Sequence, residues 1–164
     1  MRKAALISIR PEWCEKIING QKTIEVRKTR PKMNPPFKCY IYRSVLGGVV
    51  GEFVCDDIFE RIVRVGGNCE PPKYCICDWN MDCTPLDTLL ADACLTKDEL
   101  EKYLDGGVGY GWHISNLRIY DTPRELREFY AVQNEVELAL KAKPKPITRP
   151  PQSWRYVEEE LWSD

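Results

Sequence analysis

The sequence is a succession of short alternating runs, cut off by glycine, proline or polar residues such as Asp56-Asp57 and Asn116 before they can lengthen. Ala4–Ile9 alternates and stops before Pro11. Thr23–Lys28 sets Ile24 and Val26 on one side against Thr23, Glu25 and Arg27 on the other. It gives way to a connector holding Pro31, Pro35 and Pro36. Lys38–Tyr42 and Val49–Cys55 are β-rich, with Gly47-Gly48 turning between them. Ile58–Val65, Tyr110–Ser115, Leu117–Tyr120 and Trp154–Val157 complete the strand candidates. Helices are few. Pro11–Asn19 has Pro11 suited to the first turn and Gly20 to the position past the end. Pro85–Ala93 is a second. A third starts at the capping box Thr96-Lys97-Asp98-Glu99 and ends at Gly106-Gly107, and a fourth runs from the box Thr122-Pro123-Arg124-Glu125 to about Tyr130. Gly66–Thr84 has no period and reads as a loop, and Lys141–Pro151 is basic, Pro-rich and extended. Many short strands with a few interspersed helices predict an α+β fold organised as a β-barrel.

A length of 164 residues predicts one domain over 1–164, carrying a Cys-rich loop insertion at about 66–84 and a Pro-rich segment at about 141–152. With 43% hydrophobic and 30% charged residues the chain is ordinary for a globular protein. No apolar run approaches the ~20 residues that span a bilayer. The N-terminal apolar stretch alternates and stops at Ile9, so it reads as a strand and not as an export signal. The expected compartment is the cytosol. No G-x-G-x-x-G or G-x-x-x-x-G-K-[ST] loop and no βαβ alternation is present, which counts against dinucleotide and nucleoside-triphosphate enzymes. The net charge of −1 gives no global argument for nucleic acid. Its distribution is uneven: Met1–Lys38 is basic and Asp78–Asp105 acidic. That pattern fits a local anion-binding face or a solvated surface.

Four constellations could carry chemistry. In Gly20–Arg27, Lys22 sits at a turn after a helix end, and Glu25 and Arg27 project from one face of the next strand. Arg27 can grip a phosphate or carboxylate with two hydrogen bonds, Lys22 supplies a compact charge, and Glu25 can orient Arg27 or take a proton. The same spacing fits a surface strand with ion pairs. Tyr110, Trp112 and His113 follow a Gly-rich entrance, and His113 is the only histidine. An aromatic residue there can stack a base and an imidazole can exchange a proton, although His113 takes the strand face opposite to Tyr110 and Trp112. In Gln152-Ser153-Trp154-Arg155-Tyr156, Gln152 can read a base edge and Ser153 can contact phosphate, with Trp154 as a core plug or cleft wall. Finally, Cys69, Cys75, Cys77 and Cys83 could hold zinc. Their C-x-C pair is not a usual zinc-knuckle spacing, so the expectation is free thiols and no metal or other cofactor. Cys14, Cys39, Cys55 and Cys94 fall in apolar patterns and are expected in the core.

The segment Ile7–Pro11 followed by Ile18-Asn19-Gly20-Gln21-Lys22-Thr23-Ile24-Glu25-Val26-Arg27 resembles the ASCH domain, whose signature is G-x-K-x-x-E-x-R. Gly20, Lys22, Glu25 and Arg27 fill every fixed position. Gly109–Ile114 and Pro150–Val157 look like the larger, phage- and prophage-borne branch of that family. The resemblance implies a PUA-like β-barrel with a cleft lined by the signature residues, binding RNA or a modified nucleoside. Some relatives are ribonucleases, and small bacterial members are amidohydrolases acting on N4-acetylcytidine through a Lys, a Thr and a distant Glu. Lys22 matches that Lys, but Glu25 stands where the Thr belongs, which weakens the amidohydrolase reading.

Three functions therefore compete. A binding module holds anionic groups with Arg10, Arg27 and Lys22 and offers an aromatic residue among Tyr110 and Trp112 to the base, with Gln152 and Ser153 as further contacts. A hydrolase uses Lys22 to stabilise charge and Glu25 or His113 to move protons. A protein-binding accessory factor uses the fold without its cleft. The expected partner is RNA or a nucleoside, with no membrane.

Overall fold

A computed structural model describes residues 2–65, 73–77, 83–84 and 86–160. In chain order the elements are β1 (Lys3–Ile9), α1 (Pro11–Ile18), β2 (Ile24–Arg27), β3 (Phe37–Arg43), β4 (Val49–Val65), β5 (Lys73–Cys77), β6 (Cys83–Thr84), α2 (Asp87–Ala93), α3 (Lys97–Leu104), β7 (Gly109–Arg124), a 3-10 turn (Leu126–Glu128), α4 (Glu135–Ala139) and β8 (Trp154–Glu158). No helix among the described residues is long and apolar enough to cross a membrane. The chain packs as two compact units. One comprises Met1–Glu15, Pro36–Val54 and Asn116–Asp164, the other Lys16–Pro35 and Cys55–Ser115.

In the first unit β1 lies between β3, to which it runs parallel, and β8, to which it runs antiparallel. The parallel pair means that one crossover connection is present after all, between Ile9 and Phe37. β1 does not alternate in burial: Ala4 to Ile7 are all buried, as a strand with neighbours on both edges and cover on both faces requires. The core gathers Ala4, Leu6, Tyr40, Val49, Phe129, Ile147 and Val157. Arg124 closes it, stacked 4.6 Å over the Phe129 ring and bonded to both Glu160 carboxylate oxygens at 2.6 and 2.8 Å. The expected helix from Thr122 is not formed. Thr122–Arg124 continues β7, and the working capping box is Glu125 with Glu128 around a single 3-10 turn. α4, capped by Asn134 and Glu137, lies in a stretch with no expected helix.

In the second unit β2 pairs antiparallel with β7, in the register Ile24↔His113, Glu25↔Trp112, Val26↔Gly111 and Arg27↔Tyr110. One face of β2 joins a core of Ile24, Val26, Ile62, Leu86, Leu89, Ala93, Leu100 and Leu104. Gly111 lets β7 approach that core closely: a Cβ there would sit 3.1 Å from Ile24 and 3.3 Å from Leu89. β4 and β7 are single long strands where the sequence suggests two strands each. The Gly66–Thr84 stretch, read as loop, contributes β5 and β6, paired through Ile76↔Thr84 and Cys77↔Cys83.

Candidate functional site

The second unit buries three charged side chains together: Lys22, Glu25 and Arg27. Their placement follows from the local sequence. Gly20 ends α1 with φ +80°, a conformation glycine adopts without a Cβ penalty. The chain then turns back, its Lys22 N–H donating to Lys16 O at 2.9 Å. Residues 21–23 are stitched to the end of α2. The Thr23 N–H donates to Asp92 O at 2.8 Å, and the Cys94 thiol donates to Gln21 O at 3.3 Å. Lys22 Nζ therefore reaches Ala93 O at 2.7 Å, where an ammonium complements the negative end of a helix.

Glu25 joins the two cations. One carboxylate oxygen lies 3.2 Å from Lys22 Nζ, and the other accepts from Arg27 Nε at 2.9 Å with Nη2 also at 2.9 Å. The three residues are between 3% and 8% exposed, so this is not the surface ion-pair strand that the spacing also fitted. Burial at this level makes each charge depend on its partners.

The register decides which aromatic residues share this face. Residues directly opposite in an antiparallel pair project to the same side. Trp112 lies opposite Glu25 and Tyr110 opposite Arg27. Trp112 is fully buried, whereas Tyr110 is half-buried. Another aromatic, Tyr103, belongs to α3, whose buried Leu100 and Leu104 join the core that takes Ile24 and Val26 from the other face of β2. The Lys28 ammonium lies 5.1 Å from its ring centre. Burial raises its hydroxyl pKa. Arg27 opposes that shift, Glu25 adds to it, and a hydrogen bond from the Lys28 backbone opposes it again. Sequence reasoning missed Tyr103. It lies three residues after Leu100, on the flank of the apolar stripe of α3.

His113 pairs with Ile24 and so faces the other way from Glu25. Its Nδ1 lies 2.6 Å from Asp56 Oδ1, and both residues remain substantially exposed. The hydrogen bond to His113 holds the Asp56 carboxyl below its usual range, with a smaller contribution from Ser115. Lys22, Glu25 and Arg27 are thus brought together with Tyr110 and Trp112, and His113 forms a separate dyad with Asp56.

The remaining candidates lie in the first unit. Arg10 is exposed at the start of α1. Gln152 is exposed and Ser153 half-buried, and both line an open groove of about 730 Å³ with Pro151, Trp154, Arg155 and Tyr156. Trp154 stands edge-on to Tyr156, with ring centres 5.2 Å apart, and is half-buried, so it is a groove wall and not a core plug.

Of the zinc candidates, Cys69 lies outside the described residues. Cys75 is half-buried, and Cys77 and Cys83 are paired through the β5–β6 backbone. No group of three or more metal-ligating side chains occurs among the described residues. Cys14, Cys39 and Cys55 are buried, and burial pushes the Cys55 thiol up to about 12. Cys94 departs from expectation: it is half-buried and ends α2 in the left-handed conformation.

The ASCH domain family model matches residues 7–71, a span that includes Lys22, Glu25 and Arg27. Solved structures with the same fold include the ASCH protein of Zymomonas mobilis. It is 18% identical with a TM-score of 0.60, over 95% of this chain and 88% of that one. A Tyr-to-Phe variant of the same protein gives 18% identity and a TM-score of 0.60 over 96% and 92%. A Ser-to-Ala variant gives 20% and 0.54 over 96% and 90%. No curated protein is similar to the chain in sequence. The chain has the α+β, PUA-like fold of ASCH domains.

Proposed function

We propose that this protein binds RNA or a modified nucleoside through the cluster at Gly20–Arg27. The observation that carries the reading is a pair of cations, Lys22 and Arg27, gathered on the Glu25 carboxylate with little exposure to water. Lys22 also donates to the Ala93 carbonyl at the end of α2. Cations where water is largely excluded draw an anion more strongly than the same charges on an open surface. A phosphate is an anion that suits them. Arg27, already oriented by Glu25, has the planar fork that recognises it, and Tyr110 opposite Arg27 adds an aromatic surface. The ASCH match points to the same ligand class, since nucleic-acid binding is the general property of ASCH domains. Gln152, Ser153 and Arg10 enter as contacts of the first unit for the same class of ligand. The Gly109–Ile114 and Pro150–Val157 blocks support a place in the phage- and prophage-borne branch, working in the cytosol.

A hydrolase is the second reading, favoured by one observation: Asp56 holds His113 Nδ1, which leaves the imidazole oriented for proton transfer. Glu25 in place of the Thr nucleophile weighs against the amidohydrolase form of it.

Fluorescence anisotropy with a labelled single-stranded RNA, titrated with salt, tests the binding reading. The logarithm of the affinity is expected to fall linearly with the logarithm of salt, by about 0.7 per phosphate contacted. Absence of binding even at low salt sinks the reading. Incubation with total RNA and with N4-acetylcytidine tests the second.

A further inference from the structure

We infer that the tip of the β3–β4 hairpin, Val45-Leu46, is an apolar wedge that parts two stacked bases of a bound RNA. This rests on the nucleic-acid reading and adds to it how a base is separated from its neighbour.

β3 and β4 are neighbours in the sheet, and residues 44–48 join them. The loop is closed at its neck, where the Arg43 N–H donates to Gly48 O and the Gly47 N–H donates to Arg43 O, both at 2.9 Å. Ser44 ties it to the end of β1: its N–H and its hydroxyl both donate to Ile9 O, at 2.9 and 3.2 Å. Gly48 lies against β7, where a Cβ on it would sit 2.9 Å from the Pro123 Cβ. The base of the tip is thus anchored from β1 and β7. Its apex holds a conformation that its own residue resists. Val45 has φ +68°, and the Leu46 N–H donates to Ser44 O, two residues back, at 2.8 Å. That is a γ-turn of positive φ, a strained form, centred on a β-branched side chain. Glycine or asparagine adopts it at less cost. Val45 is 92% exposed and Leu46 64%. One exposed apolar residue is ordinary, but two in succession on a strained and anchored apex point to a function outside the fold.

The charge beneath the apex identifies what it enters. Arg43 forms one side of the neck, and its Nε is buried with no hydrogen-bond partner among the described residues. Arg10, which is exposed, directly follows Ile9, the residue to which Ser44 is tied. An apolar point with guanidinium groups at its base is complementary to a partner that is apolar inside and anionic at its rim. A base stack bordered by phosphates has that order, and leucine is among the side chains that enter such steps. Taking up a single base costs its stacking, and a side chain left in the gap offsets part of that cost.

An RNA hairpin with 2-aminopurine inside its stem reports unstacking as a rise in fluorescence. It is titrated with wild type, Val45→Asn/Leu46→Ser and Leu46→Phe, alongside labelled oligouridylate, whose bases stack little. Wild type should raise the fluorescence severalfold at saturation. Val45→Asn/Leu46→Ser should melt at or above the wild-type temperature, since asparagine tolerates positive φ. It should leave the fluorescence flat while binding oligouridylate as wild type does. On a stem with an abasic gap, where no base has to be unstacked, it should bind about 10-fold or more weakly than wild type. Leu46→Phe should keep or enlarge the rise, which decides the matter if the double variant is unstable. A folded double variant with the wild-type rise, wild type bound to the stem without a rise, or a folded Leu46→Phe that leaves the stem stacked overturns the wedge while the RNA reading stands. Wild type that binds phosphatidylserine vesicles through Val45 and Leu46 and gives no rise on RNA also overturns it, and assigns the tip to a lipid surface. If wild type binds neither RNA, both readings fall.

Discussion

Glu25 is the residue on which the cluster depends. Its carboxylate is ion-paired to both Lys22 and Arg27, and all three residues are less than a tenth exposed. A buried ion pair adds little over an apolar replacement, because desolvation cancels most of the attraction. Removing one partner is different, since it leaves charge buried without compensation. Glu25→Gln keeps the shape and leaves two like charges facing a neutral amide. The expected loss is about 3–5 kcal/mol in urea denaturation. If the variant unfolds at the wild-type urea concentration, the three groups are more hydrated than this account holds.

At the scale of elements, the informative comparison is between the two capping boxes. Thr96-Lys97-Asp98-Glu99 predicts the start of a helix, and α3 begins there with both reciprocal bonds formed. Thr96→Ala removes the side-chain acceptor for one amide and should cost about 1 kcal/mol. The same measurement on Thr122→Ala should show no cap loss, because Thr122 lies within β7. The two boxes look alike in sequence. What separates them is that residues 122–124 continue a strand and Arg124 is recruited by Glu128 and Glu160. Glu160 is 36 residues away, beyond any local pattern. Long strands are illegible for a related reason. Asp56-Asp57 and Asn116 read as breaks, yet β4 and β7 run through them, and Asn116 is accommodated with φ +46°. Asparagine tolerates that conformation better than most residues, so a polar interruption marks a distortion and not an end. At the site, period-two alternation put Glu25 and Arg27 on one face correctly. It could not reveal their burial. The carbonyl that meets Lys22 is 71 residues away at the end of α2.

On the scale of the molecule, each unit has its own core, and the signature cluster belongs wholly to the second. There β2 has two occupied faces. Ile24 and Val26 pack with Leu89, Leu100 and Leu104, while Glu25 and Arg27 are set against Trp112 and Tyr110. The proposed function gives binding to the charged face and leaves the apolar face to hold the strand. Stability and function should then separate. The most direct measurement is RNA affinity against salt for Lys22→Met/Glu25→Leu/Arg27→Met, compared with wild type after both are shown folded by thermal denaturation. Removing all three charges leaves none of them buried alone, so the variant should melt close to wild type. It should also lose most of its RNA affinity, with a shallower salt slope, as two phosphate-directed cations are gone. A folded triple variant that binds RNA with wild-type affinity and slope would contradict the account.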